Sequence, residues 1–375
     1  MRLAVKGLQD TILTGNPVIS YYQKIFTKRS TYTSEMLRMP FDSVIRFGGE
    51  SFCTIPNDTC DIITGFYLKF KYNEEKENPQ DAGHALLERA ELLIGGQTII
   101  SLTGEIISIQ SNLTDDQRTR DNYDALCLRT SKDNTYGYSS SSSSFMVELP
   151  FFGKGYRNSF PLLALNRHSL QVKIYLREET ELPGVELPQV EMFLQCVYLE
   201  REHRNFFLGR PLDYVIVQSQ LARVTLEDFN EFRFTTDFKN PVKEFVLVVQ
   251  NDSGTDGVFD YSSHNSSTYT HYSNDQVDQW KMFLNGQLYF DLDRMNSMAL
   301  QIYEHYTQAP TYKINVFNVG QSIGGDPSGT INMSRISKQI FQLKLLSAPT
   351  TRKARLYAMS FNVLRFFGGL GGVLF

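Results

Sequence analysis

Apolar residues fall at every second position in segment after segment, and that spacing constrains this chain more than any other feature of it. Phe66, Leu68, Phe70 and Tyr72 share one face of an extended segment, with Tyr67, Lys69 and Lys71 on the other. A period of two sends successive side chains to opposite faces, so the segment is a strand half-buried on a core. Leu170, Val172, Ile174 and Leu176 alternate in the same way with Gln171, Lys173 and Tyr175, as do Phe341, Leu343 and Leu345 with Gln342 and Lys344. The 27 Phe, 20 Tyr and 1 Trp reinforce this reading, since aromatic side chains favour a pleated surface. Helical periodicity is scarce. Thr114, followed three residues on by Gln117, predicts the N-terminus of a short helix running to Leu126, and a second helix is expected before His305.

The strands also repeat. Leu92-Leu93-Ile94-Gly95-Gly96-Gln97 and Met282-Phe283-Leu284-Asn285-Gly286-Gln287 each set a turn dipeptide that tolerates positive φ between apolar runs, the signature of a tight hairpin. A strong strand precedes each, Ile62 to Tyr72 and Val242 to Gln250, and a pair of strands follows each: Leu170 to Leu176 with Met192 to Leu199, then Ile340 to Leu346 with Arg355 to Leu364. At roughly 150 residues per domain, 375 residues accommodate two tandem β sandwiches, joined near Phe207 to Leu212. Long polar insertions separate the strands at 73–85, at 129–144 with six serines from Ser139 to Ser144, and at 251–278. Insertions of this length make contacts or act as surface padding.

Little in the sequence carries chemistry. Lys plus Arg is 37 against 41 for Asp plus Glu, a net charge of −4, which disfavours a basic nucleic-acid coat. Cys53, Cys60, Cys127 and Cys196 contain no CxxC and no Cys/His pair at zinc spacing, so reduced structural thiols are expected. His84, His168, His203, His264, His271 and His305 form no compact ligand pair, and Gly368-Gly369-Leu370-Gly371-Gly372 lacks the Lys and Ser/Thr of a phosphate cradle. No metal, cofactor or catalytic residue is predicted. The sequence has no apolar run long enough for a signal peptide or a membrane span, so a soluble protein made in the cytosol is expected. Asp291 and Asp293 share a strand face near Asp278 and motivate one alternative, a carbohydrate-binding or carbohydrate-active sandwich. Asn57, Asn112, Asn251, Asn265 and Asn332 satisfy N-x-S/T, with Asn251 and Asn265 the candidate glycosylation sites. Residues 1–47 carry seven basic and three acidic residues, +4 against −8 for the remainder, which suggests a basic arm facing an anionic surface.

Five ordered motifs resemble one family. Gly7-Leu8-Gln9-Asp10, Leu13-Thr14-Gly15-Asn16-Pro17 and the aromatic-basic stretch Tyr21 to Arg29 are similar to the opening of the double jelly-roll major capsid proteins of nucleocytoplasmic large DNA viruses, iridoviruses and phycodnaviruses among them. Leu149-Pro150-Phe151-Phe152 with Pro161-Leu162-Leu163-Ala164-Leu165 resembles the end of the first jelly roll. Phe238-Lys239-Asn240-Pro241-Val242-Lys243-Glu244 resembles the start of the second, with Asn240 where the family has His. Pro327-Ser328-Gly329-Thr330-Ile331-Asn332-Met333-Ser334-Arg335-Ile336 and the ending Tyr357-Ala358 with Asn362-Val363-Leu364-Arg365 complete the set. Gly329 suits the third position of a type II turn.

The resemblance implies an all-β chain: an N-terminal arm at 1–26, then two eight-stranded jelly rolls at 27–210 and 211–375. It implies a non-enzymatic structural protein of the virion, assembled in the host cytoplasm. Three copies form a pseudo-hexagonal capsomer of an icosahedral shell over an internal membrane. The partners are then other copies of the chain, neighbouring capsomers, minor capsid proteins and the membrane reached by the arm, with no specific nucleic acid. Lys24, Lys28 and Arg29 sit at the inner base. The chain is shorter than most members, implying trimmed outer loops and leaving open a minor or penton-associated paralogue.

Overall fold

Phe66, Leu68, Phe70 and Tyr72 are all buried, as are Leu170, Val172, Ile174 and Leu176, so the period of two marks the core faces of real strands. The computed structural model of the protein describes residues 7–9, 12, 31–77, 81–129, 141–152, 159–182, 185–226, 230–251, 259, 261, 276–306, 309–310, 312–321, 327–346 and 351–375. The first half contains β1 (Tyr32–Met39), β2 (Glu50–Ile55), β3 (Ile62–Glu77), β4 (Leu87–Ile94), β5 (Gln97–Thr103), β6 (Ser141–Glu148), β7 (Leu170–Leu176) and β8 (Gln189–Leu199). They form two four-stranded sheets, β1-β8-β3-β6 and β2-β7-β4-β5.

The second half contains β9 (Leu212–Leu226), β10 (Glu231–Thr236), β11 (Pro241–Asn251), β12 (Val277–Leu284), β13 (Gln287–Asp293), β14 (Asn315–Asn318), β15 (Ile331–Asn332), β16 (Gln339–Leu345), β17 (Arg352–Phe367) and β18 (Leu370–Val373). Its sheets run β9-β17-β11-β14 and β10-β16-β12-β13, the same strand order again, with β15 and β18 as short additions. These are the two tandem sandwiches expected from the repeat, in the double jelly-roll form that the resemblance implies, and the repetition reaches single residues. Pairing slips by one residue between Ile63 and Gly65 and again between Val242 and Glu244; between Leu92 and Leu93 and again between Met282 and Phe283. Both predicted hairpins turn through two positive-φ residues, Gly95 (57°) with Gly96 (83°) and Asn285 (50°) with Gly286 (86°), the mirror-image turn whose twist matches the flanking strands. The strands that follow each hairpin close their half as expected, but β7 and β8 lie in opposite sheets, as do β16 and β17.

Several local expectations change. The helix anticipated at Thr114 starts later: it spans Gln117–Cys127, with Asp116 accepting from the Thr119 amide at 2.7 Å. Thr114 instead ends a preceding helix, Gly104–Thr114, capped by Thr103. The helix before His305 is present as Gln301–His305, entered through a π turn at Asn296–Leu300. Ser141 to Ser144 of the serine run open β6, and residues 73–77 extend β3. Gly329 does not occupy a type II turn. Its φ of 159° is extended, and glycine is needed there because a Cβ would lie 3.1 Å from the Gly320 Cα and 3.2 Å from the Val319 carbonyl.

The second sandwich is filled by an aromatic cluster around Phe341, whose ring meets those of Phe234, Phe238, Phe245 and Phe290, with Trp280 against Phe290. β11 explains how the halves join. Phe245, Leu247 and Val249 enter that core, whereas Val246 and Val248 on the opposite face belong to the core of the first half. The unbroken apolar run Phe245 to Val249 is the sequence mark of a strand buried on both faces.

Candidate functional site

At the seam between the two sandwiches, buried charged side chains from both halves are drawn into networks. The seam begins with the helix Gly104–Thr114. Gly104 opens it because no side chain fits: a Cβ would stand 2.2 Å from the Leu87 carbonyl oxygen and 2.3 Å from that of His84. Glu105 then projects into the second half. Its carboxylate accepts from Tyr357 Oη at 2.5 Å, Tyr261 Oη at 2.7 Å and Arg355 Nε at 2.7 Å. Arg355 reaches Gln250 through Nη2 at 2.7 Å, and Gln110, one and a half turns further along the helix, meets Met359 Sδ. Burial alone would raise the Glu105 carboxyl; Arg355 and the two phenols outweigh it and hold the group below its ordinary range. Alongside, β9 is tied to β5 by Gln218 Nε2 to the Ile99 carbonyl at 2.6 Å and Ser219 Oγ to the Ser101 carbonyl at 2.8 Å.

A second knot lies deeper. Asp81 and Arg129 are both buried. Arg129 Nε donates to Asp81 Oδ2 at 3.2 Å, Nη1 to Asp124 at 2.8 Å, and Nη2 to the hydroxyls of Ser108 and Ser111 at 3.0 and 2.9 Å. Ser108 donates to Asp81 at 2.5 Å, His84 Nδ1 meets Asp81 Oδ1 at 2.5 Å, and His84 Nε2 meets Tyr123 Oη at 2.9 Å. The second half adds Tyr312, whose hydroxyl donates to Asp81 at 3.4 Å, and the Ala309 carbonyl, which accepts from Arg120 at 3.1 Å. Against the cost of burial, Arg129 and His84 keep Asp81 ionised and well below the usual carboxylate range. Burial pushes the Tyr123 and Tyr312 phenols and the Cys127 thiol up, so these stay protonated.

Asp81, His84 and Cys127 offer three donor atoms within 4.8 Å of one another, a grouping that sequence spacing did not reveal. The set does not fit a metal ion. Asp81 already neutralises a guanidinium, both His84 nitrogens are engaged, and the Cys127 thiol is held protonated and directed at the Asp124 carbonyl. The arrangement holds two bodies in one orientation through buried, paired charges.

The other predicted positions are dispersed. Asp291 is engaged by Gln279 and Lys281, Asp278 by Lys344, and Asp293 caps the Asn296 amide, so each of the three carboxylates has a partner within the sheet or the turn that follows it. Asn251 ends β11 opposite Arg352, partly buried. Asn112 is fully buried. Lys24, Lys28, Arg29, Asn265, His264 and His271 lie outside the described residues. Among the described residues no helix is long and apolar enough to cross a membrane.

Comparison with known proteins follows the same two-part division. Residues 20–200 match the family model described as major capsid protein N-terminus, and residues 203–372 that described as large eukaryotic DNA virus major capsid protein. The major capsid protein of Pyramimonas orientalis virus is 26% identical over 409 residues, covering 100% of this chain and 98% of the relative; that of Paramecium bursaria Chlorella virus 1 is 24% identical, with 100% and 98% covered. Among solved structures, the PBCV-1 virus capsid quasi-atomic model aligns with a TM-score of 0.81 at 19% identity, over 95% of this chain and 100% of that one. The Faustovirus major capsid protein aligns at 0.75 and 9% identity, over 96% and 94%. The repeated strand order, the seam that locks its two halves and the two adjoining family matches lead to one conclusion: the chain belongs to the major capsid protein family of large eukaryotic DNA viruses.

Proposed function

We propose that the protein is the repeating structural unit of an icosahedral virus shell, three copies forming a pseudo-hexagonal capsomer. The observation that carries this reading is the pair of sandwiches with identical strand order locked side by side by a buried seam. Each chain is thus a rigid two-lobed block, and three such blocks present six similar lobes, the number a hexagonal net requires. The role is mechanical and uses no catalytic residue. Neighbouring capsomers and minor capsid proteins are the further partners. The basic arm, with Lys24, Lys28 and Arg29, faces the shell interior and the internal membrane, and assembly takes place in the host cytoplasm. Light scattering on the purified protein tests the core of this reading. A stable mass near three times 43.0 kDa is expected, and a mass of one chain at high concentration refutes it.

A further inference from the structure

The internal repeat assigns a partner surface to each half, yet among the described residues only one of the two surfaces is covered within a chain. The shared bulges place Phe66 in correspondence with Phe245, so Glu191, Phe193 and Gln195 of β8 correspond to Arg355, Tyr357 and Met359 of β17. The insertions after β5 and β13 correspond as well: Thr103 accepts from the Ile106 amide at 3.2 Å, and Asp293 from the Asn296 amide at 2.7 Å. Glu105 therefore matches Met295, and Gln110 matches Leu300.

In the first insertion the helix is buried almost throughout, with Glu105 on Arg355 and Tyr357 and Gln110 on Met359. In the second, Ser297, Met298 and Ile302 turn inward, while Met295, Leu300 and Tyr303 are 69%, 44% and 85% exposed. The sheet faces show the same asymmetry. Val246, Tyr357 and Met359 are buried, but their counterparts Tyr67, Phe193 and Gln195 are only partly so, and Met36 beside them is 51% exposed.

We propose that a second copy of this chain covers both: the 295–303 insertion of one copy seats on the outer face of β1, β8 and β3 of the next, repeating between copies the seam found within each. The inference rests on the capsomer reading and specifies its contacts. Met295 meets Phe193, and Leu300 meets Gln195 and Met36. Where the internal seam sets Glu105 on Arg355, the contact between copies sets a thioether against an aromatic ring. Glu191 brings no orphan charge, because Arg38 already holds it at 2.7 Å. The contact is head-to-tail, and each chain carries one insertion and one receiving face, so a ring closes when the rotation between lobes repeats.

Light scattering on three forms of the full chain tests this. The wild type is expected at three chains, and Met295→Glu/Leu300→Glu at one, a threefold fall in mass with unchanged far-UV circular dichroism. Leu300→Cys/Gln195→Cys treated with a short bis-maleimide is expected to give covalent dimers and trimers on a denaturing gel; the four native cysteines are buried and do not compete. A trimeric glutamate variant, or a trimeric cysteine variant that yields no cross-link, overturns the assignment of faces and leaves the capsomer reading standing. A wild type of single-chain mass overturns both. Should the glutamate variant misfold, the cross-link decides.

Discussion

Replacing Glu105 by Gln preserves shape and removes one charge from the centre of the seam. The side chain accepts from Arg355, Tyr357 and Tyr261 in a site where all four groups are largely buried. Gln retains one acceptor oxygen and turns an amide towards donors, leaving the Arg355 guanidinium buried without its counter-ion. Breaking a buried pair from one side costs about 3–5 kcal/mol. With an unfolding entropy of about 2.1 cal/mol/K per residue, 375 residues give roughly 0.8 kcal/mol/K, so a loss of about 4 kcal/mol lowers Tm by roughly 5 °C if both halves melt together. Differential scanning calorimetry reads this directly. The pH dependence supplies a second signature. The folded carboxyl lies below its ordinary 4.5, so its contribution is complete above that value and is lost as pH falls through the lower folded pKa. The gap between wild type and Glu105→Gln is therefore constant near neutrality and narrows below pH 4.5. A Tm within 1 °C of wild type at pH 7, or a gap independent of acidification, would refute the view that this ion pair holds the halves together.

Arg129→Met leaves Asp81 buried without its main cation and is expected to cost about 3–5 kcal/mol by denaturant unfolding, whereas adding Asp81→Asn recovers part of the loss because the orphan charge is gone. Gly104→Ala forces a methyl against the His84 and Leu87 carbonyls and should destabilise by about 1–3 kcal/mol; an unchanged unfolding midpoint would show that the helix start moves freely. Gly329→Val presses on the backbone at Gly320 and Val319, so lower trimer yield and a lower melting temperature are expected, and wild-type values in both would contradict the close approach.

Most of the strands were legible because one face of each meets water and the other a core, which writes a period of two into the chain. The repeat was legible from two hairpins, since a two-residue mirror-image turn admits few dipeptides. The helix Gly104–Thr114 was not. In its sequence, GEIISIQSNLT, the polar Glu105, Ser108, Ser111 and Asn112 are buried along with the isoleucines, because one side packs on its own sandwich and the other on the neighbouring one, so the charged, solvent-facing stripe of a surface helix is missing. The seam was hidden for a different reason. Asp81 and Arg129 lie 48 positions apart, and Glu105 and Arg355 250 apart, and no local rule links them. One clue was present: Phe245 to Val249 is apolar on both faces, and a strand of that kind needs a second body to cover it. Thr114 misled because Asp116, two residues on, is the better-placed cap.

The position of β17 bears on how the protein is made. This strand lies between β9 and β11 and sends Ala354, Leu356 and Ala358 into one core and Tyr357, Met359 and Phe366 into the other. During synthesis the first half leaves the ribosome well before these residues exist, with the far side of its Gly104–Thr114 helix still uncovered. A polypeptide that ends before residue 352 lacks the central strand of its second lobe and leaves one face of the first uncovered. Translation of residues 352–367 is thus the step that completes the second lobe and covers the first.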